Sequence, residues 1–265
     1  MKKFTKIMAV ALSAMMLAIM CAGCGNKTAD SDAAYIKDKG EMIIGMTLFA
    51  PMNYYEGEEL IGFETEFAKA VCEKIGVTPV FQEINWDAKE VELSSKNIDC
   101  IWNGMTITEE RKQNMSVTKA YMANKQVMVA KAENAQKYAQ SIEGAMVVAE
   151  AGSAGEELAT ANEYFAAAQF TPVDSMAKAL MDVAAGTSDI AVVDYVASIG
   201  SIGEGTDFAD LVVVESEDFS PEEYGIAFRK GSDFTAEVEA AIDALKADGT
   251  LKAIADKYKL GDLIA

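Results

Sequence analysis

The chain has 265 residues, 51% hydrophobic and 25% charged, enough to bury roughly three quarters of its surface in one domain or two lobes. Its 42 acidic residues outnumber 23 basic ones, for a formal net charge of −19. That balance repels phosphate backbones and anionic headgroups and argues against a nucleic-acid partner, while the absence of histidine removes Ser-His-Asp and Cys-His catalysis, His-ligated zinc and imidazole switching.

Lys2, Lys3 and Lys6 precede an uncharged run over 7–26 rich in Ala, Met and Leu. This reads as the charged and apolar regions of an export signal over 1–23; its length also suits an uncleaved membrane anchor. In either case the body of the protein faces outward. Residues 24–34 are small and polar and read as a flexible tether.

Beyond the tether, strand patterns over 42–46, 79–84, 98–102, 127–130, 146–149, 190–193, 211–214 and 224–228 alternate with helical ones over 64–75, 109–115, 156–161, 175–185 and 234–247. This alternation predicts an α/β fold with largely parallel sheets. Cys72 and Cys100 fall on apolar faces and read as buried thiols, with a disulfide as the other possibility. Beyond Cys21 and Cys24, at the end of the expected signal, there is no CxxC pair, and there is no Walker loop, so neither a metal nor a cofactor is expected.

In such sheets ligands lie beyond the carboxyl ends of strands, and three segments put unusual chemistry there. After the strand over 98–102 comes Asn103-Gly104-Met105-Thr106-Ile107-Thr108-Glu109-Glu110-Arg111. Thr108 is a suitable N-cap, which puts the Arg111 cation in the first helical turn against the dipole. An anion docking on its fork would account for it, as would a surface pair with Glu109, Glu110 or another neighbour, and the segment alone favours the latter. Next, Glu150-Ala151-Gly152-Ser153-Ala154-Gly155 follows a strand and opens a helix; its amides can hold an anion, or the segment is an ordinary connection. Finally, Asp194 ends the run Ile190-Ala191-Val192-Val193, where it either binds an amine or caps the helix beginning at Tyr195.

Together these segments resemble the family-3 extracellular solute-binding proteins of polar amino-acid ABC transporters. The residues that carry the resemblance are Ile44-Gly45 with Phe49-Ala50-Pro51, Gly62-Phe63-Glu64, Trp86-Asp87, Asn97-Ile98-Asp99, Gly104-Met105-Thr106 and Thr108-Glu109-Glu110-Arg111. The second half adds Gly152-Ser153, Asp194, Glu223-Tyr224-Gly225-Ile226-Ala227-Phe228-Arg229-Lys230-Gly231 and Asp248-Gly249-Thr250. Ala22-Gly23-Cys24 in turn resembles the bacterial lipoprotein box, with Cys21 where Leu is usual, which implies lipidation of Cys24.

The resemblance implies a two-lobed periplasmic-binding-protein-like fold (type II). Two crossover strands would join lobe 1, residues 35–124 and 222–265, to lobe 2, residues 125–221. It implies that Arg111 clamps a ligand carboxylate with Thr106 and the amides of Ser153 and Ala154. Asp194 would take the ammonium with Thr106 and the Gly104 carbonyl, while Phe49 and Trp86 sandwich the side chain beside Met105. A zwitterion needs one buried cation and one buried anion, and with the resemblance the balance moves to function at Arg111 and Asp194.

Two departures bear on side-chain specificity: Met46-Thr47-Leu48 replaces a segment that often carries Asp, and Glu150 stands where some glutamine binders have Lys. The expected role is a monomeric receptor, lipid-anchored on the outer face of the membrane, that delivers a polar amino acid to an ABC permease. The alternatives are a dehydratase-like enzyme on the same fold, with Glu150 or Asp194 as acid or base, and a ligand-sensing module.

Overall fold

The computed structural model describes residues 31–216 and 219–265; the expected signal, Cys24 and most of the tether lie outside them. The chain runs through α1 (Asp32–Lys39), β1 (Glu41–Met46), the hairpin β2 (Tyr54–Glu56) and β3 (Glu59–Ile61), α2 (Phe63–Ile75) and β4 (Thr78–Glu83). It continues through α3 (Lys89–Ser94), β5 (Cys100–Ile101), α4 (Glu109–Asn114), β6 (Met115–Val117) and the long β7 (Met122–Lys131). Then come α5 (Ala135–Gln140), β8 (Met146–Glu150), α6 (Ala154–Ala161), β9 (Gln169–Val173), α7 (Met176–Ala185), β10 (Ile190–Asp194) and α8 (Tyr195–Ser201). β11 (Leu211–Val213), β12 (Pro221–Tyr224), β13 (Ala227–Arg229), α9 (Phe234–Ala247) and α10 (Thr250–Lys257) complete it.

Two larger sheets organise these elements. One has the order β4-β1-β5-β13-β6, the other β11-β7-β10-β8-β9, with β12 paired to β7. The chain leaves the first sheet after β6 along β7 and returns along β12, which lies antiparallel to the start of β7 with Tyr224 opposite Met122. The sheets are mixed rather than largely parallel. β1 pairs in parallel with β4 and β5, and β8 with β9 and β10, whereas every pairing of β7 and β13 is antiparallel. The parallel strands direct their carboxyl ends, and the loops after them, toward the candidate site.

Burial follows sequence period. On α2, Phe63, Phe67 and Val71 recur every four residues and are fully buried, each removing an apolar side chain from water at about 1.5–3 kcal/mol. Phe67 meets Trp102 edge to face at 5.0 Å and lies 5.6 Å from Tyr121. Cys72 and Cys100 are free and buried, as the apolar pattern predicts.

Three sequence expectations need correction. The tether ends sooner than residue 34, because Asp32 opens α1, where Ala33 and Ile36 are buried and Asp32 pairs with Arg229 at 3.0 Å. The single strand over 224–228 is two strands, β12 and β13, separated at Gly225 and Ile226. The strand over 98–102 keeps only Cys100 and Ile101. Among the described residues no helix is long and apolar enough to cross a membrane.

Candidate functional site

The three singled-out segments converge. A small, nearly closed cavity is lined by Trp86, Gly104, Thr106 and Arg111 from the first sheet's side, and by Glu150, Ser153, Ala154 and Asp194 from the second's. Eight of the ten residues expected at a ligand therefore meet. Phe49 and Met105 do not line it. Phe49 is buried against the Gly104 loop, its ring 3.2 Å from where a Gly104 side chain would begin. Met105 packs into a cluster with Trp86, Leu93, Ile98, Ile101 and Met115.

Arg111 sits in the first turn of α4, where Thr108 caps the helix by accepting from the Arg111 amide at 3.1 Å. Arg111 is 5% exposed, and its guanidinium donates to the Thr106 carbonyl at 2.8 Å and meets Glu157 of α6 at 2.7 Å. Its ion-pair partner is thus Glu157 rather than Glu109 or Glu110. Glu109 pairs instead with Lys112.

Opposite, the turn after β8 opens α6. Ser153 caps it, accepting from the Glu156 amide at 3.1 Å, while Glu156 reaches back to the Gly152 amide at 2.6 Å, a reciprocal arrangement that fixes the turn. The Ser153 amide donates to the Glu150 carbonyl at 3.2 Å, so of the two amides expected at a carboxylate it already has a backbone partner. Gly155 is required by packing: a side chain there would begin 2.8 Å from the Val192 carbonyl of β10. Lys89 spans to this turn, donating to the Gly152 carbonyl at 2.8 Å and to that of Trp86 at 3.2 Å, with its ammonium 4.9 Å from the Trp86 ring centre. Burial, then the Arg111 charge, brings its ammonium down to about 8.

Asp194 precedes α8 but its side chain makes no cap. It instead accepts from Asn124 at 3.0 Å and from Gln126 at 2.5 Å, both on β7. Both amides also donate to Glu222 of β12, which accepts from Thr106 as well. Burial, then the Glu222 charge, raises the Asp194 carboxyl to about 6. Glu150, 1% exposed, rises to about 8 through burial and then the Asp194 charge. Both carboxyls sit in a site where a ligand cation would favour their ionised forms.

Sequence reasoning missed Asn103, Gln126, Met176, Val192 and Val193 of the lining. Gln126 carried a weak signal, since it directly precedes the apolar run over 127–130. Asn103 exchanges three hydrogen bonds with Thr47. Behind the wall, Glu64 of α2 accepts from the Gly104 amide at 2.8 Å, from Asn53 at 2.9 Å and from the Tyr121 hydroxyl, and burial raises it to about 7.

Two mixed sheets joined by an antiparallel strand pair, with a buried guanidinium and buried carboxylates around one cavity, define a two-lobed ligand-binding protein of the periplasmic-binding-protein type. The chain belongs to the bacterial extracellular solute-binding proteins, family 3, whose pattern it matches over residues 42–261. It is 29% identical to the L-cystine-binding protein TcyJ of Escherichia coli K12, over 94% of each chain. It is 31% identical to the L-arginine-binding protein of Pseudomonas aeruginosa, over 76% of this chain and 80% of that one. Among solved structures, an ancestral amino acid-binding protein described as a precursor of cyclohexadienyl dehydratase superposes with a TM-score of 0.75 at 27% identity, covering 86% of this chain and 99% of that one.

Proposed function

We propose that this protein is the amino-acid receptor of an ABC importer, in which lobe 1 (35–124 and 222–265) and lobe 2 (125–221) close on the ligand. The carrying observation is that Arg111 and Asp194, from elements of different sheets, are both buried on one cavity. A zwitterion answers both: its carboxylate takes the Arg111 fork with Thr106 and the amide of Ala154, and its ammonium takes Asp194, with Thr106 and the Gly104 carbonyl alongside. Ligand contacts to both lobes stabilise the closed form, and a permease that distinguishes closed from open receives loaded receptor.

The box ending at Cys24 supports lipidation there, which would hold a monomeric receptor on the outer face of the cell membrane beside its permease. The dehydratase reading has a precedent in a precursor relationship; Asp194 here is held by the side-chain amides of Asn124 and Gln126. The test is a thermal-shift screen of the full chain against the twenty amino acids, with recovered ligand identified by mass. Ligand at a hundred times its dissociation constant adds about 2.7 kcal/mol, a shift of about 5–10 °C. Unchanged ligand with a shift supports a receptor; a new product would make the protein an enzyme, and no shift with any amino acid would remove the reading.

A further inference from the structure

The zwitterion leaves one lining group without a role. Glu150 ends β8, is 1% exposed, and lines the cavity, and its Oε1 has no hydrogen-bond partner among the described residues. A buried carboxylate oxygen without a donor costs the full desolvation of that atom, so a native site that keeps one has a donor arriving from elsewhere. The neighbouring groups do not supply it. Lys89 directs its ammonium to two backbone carbonyls, and Arg111 is engaged by the Thr106 carbonyl and Glu157.

The charges around the cleft point the same way. Two cations, Arg111 and Lys89, stand among the carboxylates of Asp194, Glu157 and Glu222, with the Glu150 carboxyl beside them. On the β9 side the residue opposite Glu150 is Val173, which carries no charge. A ligand whose side chain adds a negative charge meets an uncompensated surplus of its own sign. One that adds a positive charge relieves it. The lining that Glu150 and Arg111 share includes Trp86 and Met176, apolar surface suited to an aliphatic stem.

We propose that Glu150 is the side-chain-selecting residue of this cleft and makes the protein a receptor for amino acids with an apolar stem and a terminal cation. The inference rests on the amino-acid receptor reading and adds the ligand class to it. A corollary concerns protons. Burial and the Asp194 charge keep the Glu150 carboxyl protonated to about pH 8, with Lys89 opposing, so a ligand cation at neutral pH expels that proton to the buffer as the ion pair forms. Binding then tightens as pH rises toward 8.

The experiment is calorimetric titration of the full chain with L-arginine, its uncharged isostere L-citrulline and L-glutamate, in two buffers of different ionisation enthalpy. Arginine should bind about thirtyfold or more tighter than citrulline, the cost of leaving a buried carboxylate unmatched, with L-glutamate weakest and with a buffer-dependent heat that reports proton release. In Glu150→Gln the arginine preference should collapse while citrulline affinity stays within about threefold. If that variant does not fold, the wild-type affinity ratio and proton release decide alone. Tight binding of an uncharged or acidic amino acid, with cationic ones no better, overturns the inference and leaves the receptor standing. Binding of no amino acid overturns both.

Discussion

Arg111 and Glu157 form a 2.7 Å ion pair that joins α4, which follows a strand of one sheet, to α6, which follows a strand of the other. The partners are unequal: the Arg111 side chain is 6% exposed and that of Glu157 57%. Lys89 to the Gly152 carbonyl and Ser201 to the Ala50 carbonyl, at 2.8 and 3.2 Å, cross between the same parts of the chain. Glu157 thus offers the guanidinium a carboxylate of the protein's own, on the opposite lobe.

Removing that clasp should open the ligand-free protein. Because Glu157 is half exposed, the pair is worth about 1 kcal/mol or less, an open-to-closed shift of about fivefold. Small-angle scattering of Glu157→Gln without ligand should give a larger radius of gyration than wild type, and the two should coincide at saturating amino acid. Identical ligand-free radii would mean that the pair does not hold the lobes together.

Arg111→Ala should weaken the amino acid found by screening by roughly 2–5 kcal/mol, since the ligand carboxylate is left buried and unpaired. Arg111→Lys should restore only part of this, a point charge replacing a two-pronged fork. Calorimetry decides it: affinity within a factor of about two of wild type for Arg111→Ala would place the carboxylate elsewhere.

Much of this site was legible because its residues are locally odd. Arg111 faces the wrong way for a helix dipole, and Asp194 ends an apolar run. What stayed hidden is set by partners distant in the chain. Glu64 matters because the Gly104 amide, forty residues on, donates to it, and Glu222 because β12 runs beside β7, which brings it to Gln126. The start of the first helix, residues 32–34, was read as tether for the same reason: its order comes from Asp32 on Arg229 and Asp233 on the Ala33 amide. The break between β12 and β13 is likewise tertiary. Gly225 passes so close to Ile107 and Val117 that a side chain would begin 2.9 Å from each, and the chain there moves from pairing with β7 to pairing with β5 and β6.

Asp194→Asn should discriminate between two ligands. The amide keeps the shape that Asn124 and Gln126 hold but loses the charge that answers an ammonium. The amino acid should lose about thirtyfold or more, and its deaminated analogue, a carboxylic acid without the ammonium, no more than about threefold. Equal losses for both in parallel titrations would take Asp194 out of the ammonium role.

Glu64 makes stability depend on pH in an unusual direction. Its carboxyl is raised to about 7 by burial, against the hydrogen bonds from Tyr121, Gly104 and Asn53 and with the Asp194 charge adding to the rise. Between the unfolded value of 4.5 and about 7 the folded state therefore binds more protons than the unfolded chain. Its contribution is fully present below that unfolded value and is lost as pH rises through about 7, at up to about 1.4 kcal/mol per pH unit. Asp194 and Glu150, raised to about 6 and about 8, act in the same sense. Lys89, lowered to about 8, acts oppositely only above that pH. Urea unfolding of the ligand-free chain should give stability falling steadily from pH 5 to pH 8, and Glu64→Gln should flatten the slope between pH 5 and 7. Wild-type stability that is level or climbs over that interval would mean that Glu64 is ionised in the fold, with its three donors outweighing its burial.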